Sequence, residues 1–315
     1  MAPQQHETDG TGPVRDVGSS LTLLQGSLLV LATGVALSFG GLAFRQTDDI
    51  RPWEYLVFRG IGAAIVAGSL IAWRHRGRLA DELRQVEPIH LAAGALIGTT
   101  SCLFIVALDN ASVAFVLFGQ AAAPITAGYF SWLLMRERVS GRTVVATVGV
   151  LVGVTVMVSG SLDDATIEPL GYVALLIPLL FGLYATLVRS ATRIDPTVPV
   201  VVSGSTMVLV GSVVALASGG FQNSARDAAI GLFAGSMLLG IPLALFNVGQ
   251  RVVPAPETSL LLMSEVVLAP VWVWLFVDEQ PSTATVIGGG VIIAVIAWFT
   301  VTRAKPPTPV FTSRG

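Results

Sequence analysis

The stretches WLLMRERVSGRTV (residues 132–144) and WLFVDEQPSTATV (residues 274–286) are one phrase written twice. At a constant offset of 142 (274 − 132), Trp132 pairs with Trp274, Leu133 with Leu275 and Glu137 with Glu279. Ser140 then pairs with Ser282, Thr143 with Thr285 and Val144 with Val286. Upstream, GSLLVLATGVALSFGG (26–41) and GYVALLIPLLFGLYAT (171–186) open two halves with a similar Gly-then-apolar pattern. A phrase that recurs at fixed spacing marks an internal repeat.

The repeat lies in a chain too apolar for water. Of 315 residues, 53% are hydrophobic and 12% charged, with a mean hydropathy of +0.76. A soluble domain carries roughly 25% charged residues, and about half that number cannot cover a soluble surface of this size. The composition therefore reads as an all-α integral membrane protein whose first partner is the lipid bilayer. No basic tract marks a nucleic-acid partner. The single cysteine, Cys102, excludes a disulfide within one chain.

A helix needs about 20 apolar residues to cross a bilayer. Ten stretches meet that length: 21–44, 53–73, 89–108, 111–135, 143–160, 169–188, 197–218, 229–249, 257–277 and 283–302. Pro256 and Glu257 read as a helix start, with proline and an acid in the first turn. Ser140 and Ser282 read as N-caps of the fifth and tenth spans. Five spans per half is an odd number, so the halves are expected to insert in opposite directions. With the N-terminus cytoplasmic, inner segments hold fourteen Lys and Arg, such as Arg74, Arg136 and Arg189. Outer segments then hold only Arg45, Arg51 and Arg226. Both termini are expected inside, with position 78 inside and position 163 outside. The expected organisation is a disordered cytoplasmic tail at 1–20, a first repeat at 21–160, a second at 161–303 and a cytoplasmic tail at 304–315.

The phrases PITAGYFSWLLMRERVSG and PAPETSLLLMSEVVLAPVWVWLFVDEQPS resemble the drug/metabolite transporter superfamily, specifically its ten-span bacterial EamA-type members. The resemblance spans 21–303. It implies two inverted five-helix repeats around a central cavity lined by spans 1, 3, 4, 6, 8 and 9, with spans 5 and 10 peripheral. It also implies a bacterial inner-membrane carrier, with export of amino acids or similar metabolites as the common role. One departure stands out: the family often has proline directly after the span-9 glutamate, where this chain has Val266.

Within LLLMSEVVLAPVWVWLF (260–276), Glu265 is the one charged residue. It lies roughly 12 Å into its span at 1.5 Å per residue. A carboxylate at that depth must face protein or a wet cavity. It is a candidate for substrate and proton binding, against a structural, hydrogen-bonded reading. Ser264 adjoins it, and Glu257, Ser264 and Trp272 share a helical stripe. Arg59 is the one basic residue inside a span, a solute contact or a snorkelling anchor. Thr99, Thr100 and Ser101 in span 3, Gln120 in span 4 and Asn247 and Gln250 in span 8 are polar groups that either serve the cavity or bond neighbouring helices. Pro124, Pro178, Pro242 and Pro270 lie inside spans 4, 6, 8 and 9, where they can kink helices and act as hinges. Phe39, Phe118, Phe181 and Tyr184 are candidate pocket aromatics.

His6, His75 and His90 form no catalytic or metal motif within the spans, so neither an enzyme nor a cofactor is expected. The expected function is secondary transport of a small polar metabolite, such as an amino acid, by alternating access with possible proton coupling. Drug efflux is the alternative carrier reading. A channel or a non-transporting scaffold is the third class, and no ring of charge or filter loop marks it. Sugar phosphates need several cations, and the spans supply only Arg59.

Overall fold

The computed structural model describes residues 21–48, 50–75, 84, 86–111, 113–159, 168–190, 195–277 and 280–303. The expected tails at 1–20 and 304–315, positions 78 and 163, and Glu279 lie outside the described residues. Among the described residues every regular element is helical. The first half holds α1 (Leu23–Leu37), α2 (Gly40–Arg45), α3 (Pro52–Arg74), α4 (Pro88–Asn110), α5 (Val113–Gln120), α6 (Ala123–Met135) and α7 (Gly141–Ser159). The second half opens with a 3-10 segment, Pro169–Leu176, that runs into α8 (Ile177–Ser190). It continues through α9 (Val198–Ala217), α10 (Ala225–Phe233), a π-helical segment at Ala234–Gly240 and α11 (Ile241–Gly249). It ends with α12 (Ala255–Leu262), α13 (Ser264–Val277) and α14 (Thr283–Arg303).

Nine helical stretches among the described residues are long and apolar enough to cross a membrane. The expected fourth span is not among them; it is broken into α5 and α6 at Ala121–Ala122. Pro124 explains that break. It has no N–H, and its ring crowds the carbonyl four residues back, at Gln120. The expected ninth span is broken as well, at Met263 between α12 and α13. At the repeat offset of 142, Ala121 corresponds to Met263 (121 + 142), so the two breaks are equivalent. Val266 stands where the first half has Pro124, and the helix is interrupted there without a proline.

Local signals elsewhere act as the sequence implies. Ser140 Oγ accepts the Thr143 amide at 3.2 Å, and Ser282 Oγ accepts the Thr285 amide at 3.1 Å. α12 starts with Pro256 and Glu257 in its first turn. Pro178 and Pro242 sit in the first turns of α8 and α11, just past the 3-10 and π segments, whereas Pro270 lies within α13. Three of the four prolines thus mark places where a span restarts.

The halves are pinned together by backbone approaches that only glycine allows. A Cβ on Gly60 of α3 would lie 2.6 Å from the Gly204 carbonyl oxygen of α9, and one on Gly204 would lie 2.5 Å from that of Gly60. Small residues at such crossings let helices pack where lipid offers no hydrophobic driving force. α7 and α14 pack against each other beside the bundle, where Gly153 and Gly288 meet. Val145, Leu209, Val213, Leu216 and Val301 are exposed and form the lipid-facing surface.

Candidate functional site

A cavity of about 110 Å³ lies at the level of the two helix breaks. Arg59, Thr100, Ser101, Gln120, Pro178 and Glu265 all line it. Five of the nine polar candidates therefore converge from α3, α4, α5 and α13, together with one of the four prolines. The rest of the wall is apolar, and Leu37, Phe104, Phe181, Leu239 and Met263 contribute to it.

The two charges are held but not joined. Arg59 is 8% exposed, and its Nε has no hydrogen-bond partner. Its backbone is fixed by the π-helical segment, where a Cβ on Gly235 would overlap the Arg59 carbonyl. π segments within α-helices are frequent at functional sites. Arg59 and Glu265 line the same cavity. Among the described residues, however, no ion pair or hydrogen bond joins either group to another residue. Thr100 donates its hydroxyl to the Leu96 carbonyl at 2.8 Å, so it serves its own helix as well as the wall.

Glu265 and Leu37 also line a second, wider space of about 520 Å³. This vestibule is bounded by Ser38, Arg45, Leu108, Met157, Pro270 and Ser282, at the ends of α1, α2, α4 and α7, in α13 and just before α14. Leu117 borders it from before the span-4 break, and Ala269 from after the span-9 break. The equivalent spans thus run through the bundle in opposite directions, as an inverted repeat requires. On the vestibule side, Trp272 donates its indole N–H to Ser38 Oγ at 2.7 Å and stacks on Phe39 with ring centroids 4.3 Å apart.

The other end of the bundle is closed by polar contacts between the ends of α3, α6, α8 and α11 and the segment before α9. Tyr184 donates its hydroxyl to Asn247 Oδ1 at 2.5 Å, and Asn247 donates to the Pro196 carbonyl at 2.8 Å. Gln250 donates to Asn247 Oδ1 at 3.2 Å. Arg189 pairs with Glu137 at 2.9 Å. Asp195 accepts the Thr197 amide at 2.8 Å and the Thr197 hydroxyl, and meets His75 Nε2 at 3.1 Å and Arg74 at 3.4 Å. Burial alone would raise the Asp195 carboxyl, but these partners outweigh it and hold the group below its ordinary value.

Four polar candidates do not line the cavity: Thr99, which is exposed, and Asn247, Gln250 and Ser264. Asn247 is fully buried in the closing contacts. Ser264 turns its hydroxyl to Gly34 of α1 and finds no partner there. Ser264 and Trp272, two residues of the shared stripe, thus both face the first span or its end. Sequence reading missed Ser38 and the Asp195 cluster. The Asp-x-Thr spacing of Asp195 and Thr197 is a turn signal that could have marked the cluster.

A sequence model described as the EamA-like transporter family matches residues 24–159 and, a second time, residues 170–301. Among solved structures, one described only as a protein crystal structure superposes with a TM-score of 0.75 at 17% identity. The match covers 88% of this chain and 96% of that one. Likeness at that identity speaks to the fold alone. No curated protein matches the chain.

Proposed function

Because the chain belongs to the EamA-like transporter family of the drug/metabolite transporter superfamily, we propose that its central cavity carries a small zwitterionic metabolite, an amino acid or a related compound, by alternating access. The observation that carries this reading is the pair Arg59 and Glu265. They line one cavity and are not bonded to each other; Arg59 is buried and Glu265 half-buried, and a charge withdrawn from water without a partner is costly. A solute with a carboxylate and an ammonium satisfies both at once. The apolar remainder of the wall suits an apolar side chain on that solute.

The inverted repeat supplies the movement. One end of the bundle is open at α1, α4 and α13, and the other is closed at α6, α8 and α11. Exchanging those roles between the repeats moves the opening to the other side of a fixed site. Glu265 is the group assigned to coupling. It holds a proton when no ammonium is present and gives that proton up to water when an ammonium binds its carboxylate, so proton and solute cross in opposite directions. That arrangement suits an exporter in a bacterial plasma membrane with both termini cytoplasmic.

The test is transport by purified protein in proteoliposomes. Saturable, counterflow-competent uptake of amino acids is expected, with strong loss of flux in Arg59→Gln. Saturable transport of sugar phosphates with no response to amino acids overturns the reading. Transport of apolar organic cations that amino acids do not compete would instead favour drug efflux.

A further inference from the structure

The two helix breaks are equivalent in the repeat but differ in charge. At the offset of 142, Ala123 corresponds to Glu265 (123 + 142), and both residues line the cavity. Ala123 is the first residue of α6, a half-helix of 13 residues, and Glu265 lies in the first turn of α13, one of 14. A helix N-terminus carries a partial positive charge. In α13 that end has its own carboxylate in the first turn. In α6 the first turn has no acid, and the N-cap residue Ala122 makes no side-chain capping bond. The Ala123 amide has no backbone acceptor among the described residues, and Pro124 has no N–H to offer. Ile125 and Thr126 donate to the Ala122 carbonyl, so among the described residues the Ala123 amide is the one first-turn donor of α6 left without an acceptor.

A second, independent feature faces the same space. Arg59 is more than nine-tenths buried, lines the cavity and makes no hydrogen bond or ion pair among the described residues. Gln120, the last residue of α5, lines the same wall with an amide that is likewise unbonded among the described residues. Arg59 and the Ala123 amide are donors only, and Gln120 can turn its side-chain NH2 to the same space. They share one cavity whose lining holds a single carboxylate, Glu265.

We propose that the N-terminus of α6, with Arg59 and Gln120, is the subsite for the carboxylate of the solute, and that Glu265 takes its ammonium. This rests on the zwitterion reading, but it assigns the carboxylate to a particular backbone terminus and makes Ala123 a specificity-determining position. An acid at 123 would give α6 the compensating charge that Glu265 gives α13, and would exclude a carboxylate ligand.

Binding to the purified full-length protein tests this with three probes: leucine, leucinamide and 4-methylpentanoate. The first carries both charges, the second only the ammonium and the third only the carboxylate. The unsubstituted protein is expected to bind leucine about tenfold more tightly than leucinamide. Ala123→Asp is expected to weaken leucine and 4-methylpentanoate by about tenfold or more while leaving leucinamide unchanged or tighter. Gln120→Glu, nearly isosteric, should act in the same direction and carries the test alone if Ala123→Asp does not fold. Leucine binding that survives both variants, or that falls equally with leucinamide, overturns the subsite and leaves the zwitterion reading standing. If leucine does not bind but 4-methylpentanoate does, and the variants abolish it, the subsite stands and the zwitterion reading falls. If neither carboxylate probe binds the unsubstituted protein, both fall.

Discussion

Glu265 and Arg59 are legible in the sequence because each is a lone charge in an apolar run, and lipid tolerates such a group only with a role or a partner. Asn247 carries no such mark. It reads like Gln120, another amide in a span, yet it is bonded into the closed end while Gln120 faces the cavity. The difference lies in Tyr184, which donates to Asn247 from another span. At this scale the decisive variant is Glu265→Gln, which keeps the shape and most hydrogen bonding but cannot release a proton. It is expected to insert and melt as the parent does. It should lose stimulation of flux by an imposed pH gradient, measured in proteoliposomes with and without that gradient. Flux at the parent rate with the same pH response would make Glu265 a structural residue.

Among the elements, the α3–α9 crossing and the closed end set the energetics. Gly60→Val would force a side chain into the Gly204 backbone and is expected to cost about 1–3 kcal/mol or more by overpacking. Gly68→Val, on the same helix with no atom within 4 Å of its Cβ position, should be near neutral. Thermal unfolding of the two variants side by side checks the contrast. The closed end has a pH dependence of definite sign. The Asp195 carboxyl is held below its ordinary value in the folded protein. Its contribution is therefore fully present above the ordinary carboxyl range and is lost as pH falls through the lowered value. Asp195→Asn should cost about 1–3 kcal/mol near neutral pH, since it weakens hydrogen bonds to a charged group. Melting curves from neutral to acid pH should then converge with those of the parent. A constant gap across that range would count against the assignment.

For the whole molecule, the alternating-access proposal makes the open vestibule at one end and the bonded seal at the other one of two states. In a Cys102→Ala background, Ser282→Cys lines the vestibule and Ala93→Cys is buried at the closed end beside His90 and Asp195. An impermeant maleimide applied to right-side-out spheroplasts should label position 282 and leave 93 untouched. In inverted vesicles, saturating amino acid should raise labelling at 93, and labelling at 282 in spheroplasts should fall correspondingly. Labelling of both positions from one side, or simultaneous high labelling of both whatever the solute, would sink alternating access.

The membrane class, the two-fold repeat, the helix starts at Ser140, Ser282 and Pro256, and the isolation of Glu265 were all determined along the chain itself. Each depends on neighbours within a few turns or on a phrase recurring at one offset. Tertiary structure decided the rest. It alone gathers Arg59, Gln120 and Glu265 around one cavity, opens the end at Ser38 and Ser282, and seals the end at Asn247 and Asp195. Hydropathy averages over a span and cannot register a one-residue interruption such as that at Met263, where no proline announces it. Which polar face meets the cavity is set by where glycines let helices from opposite halves touch, as at Gly60 and Gly204, and that is a property of the packed pair.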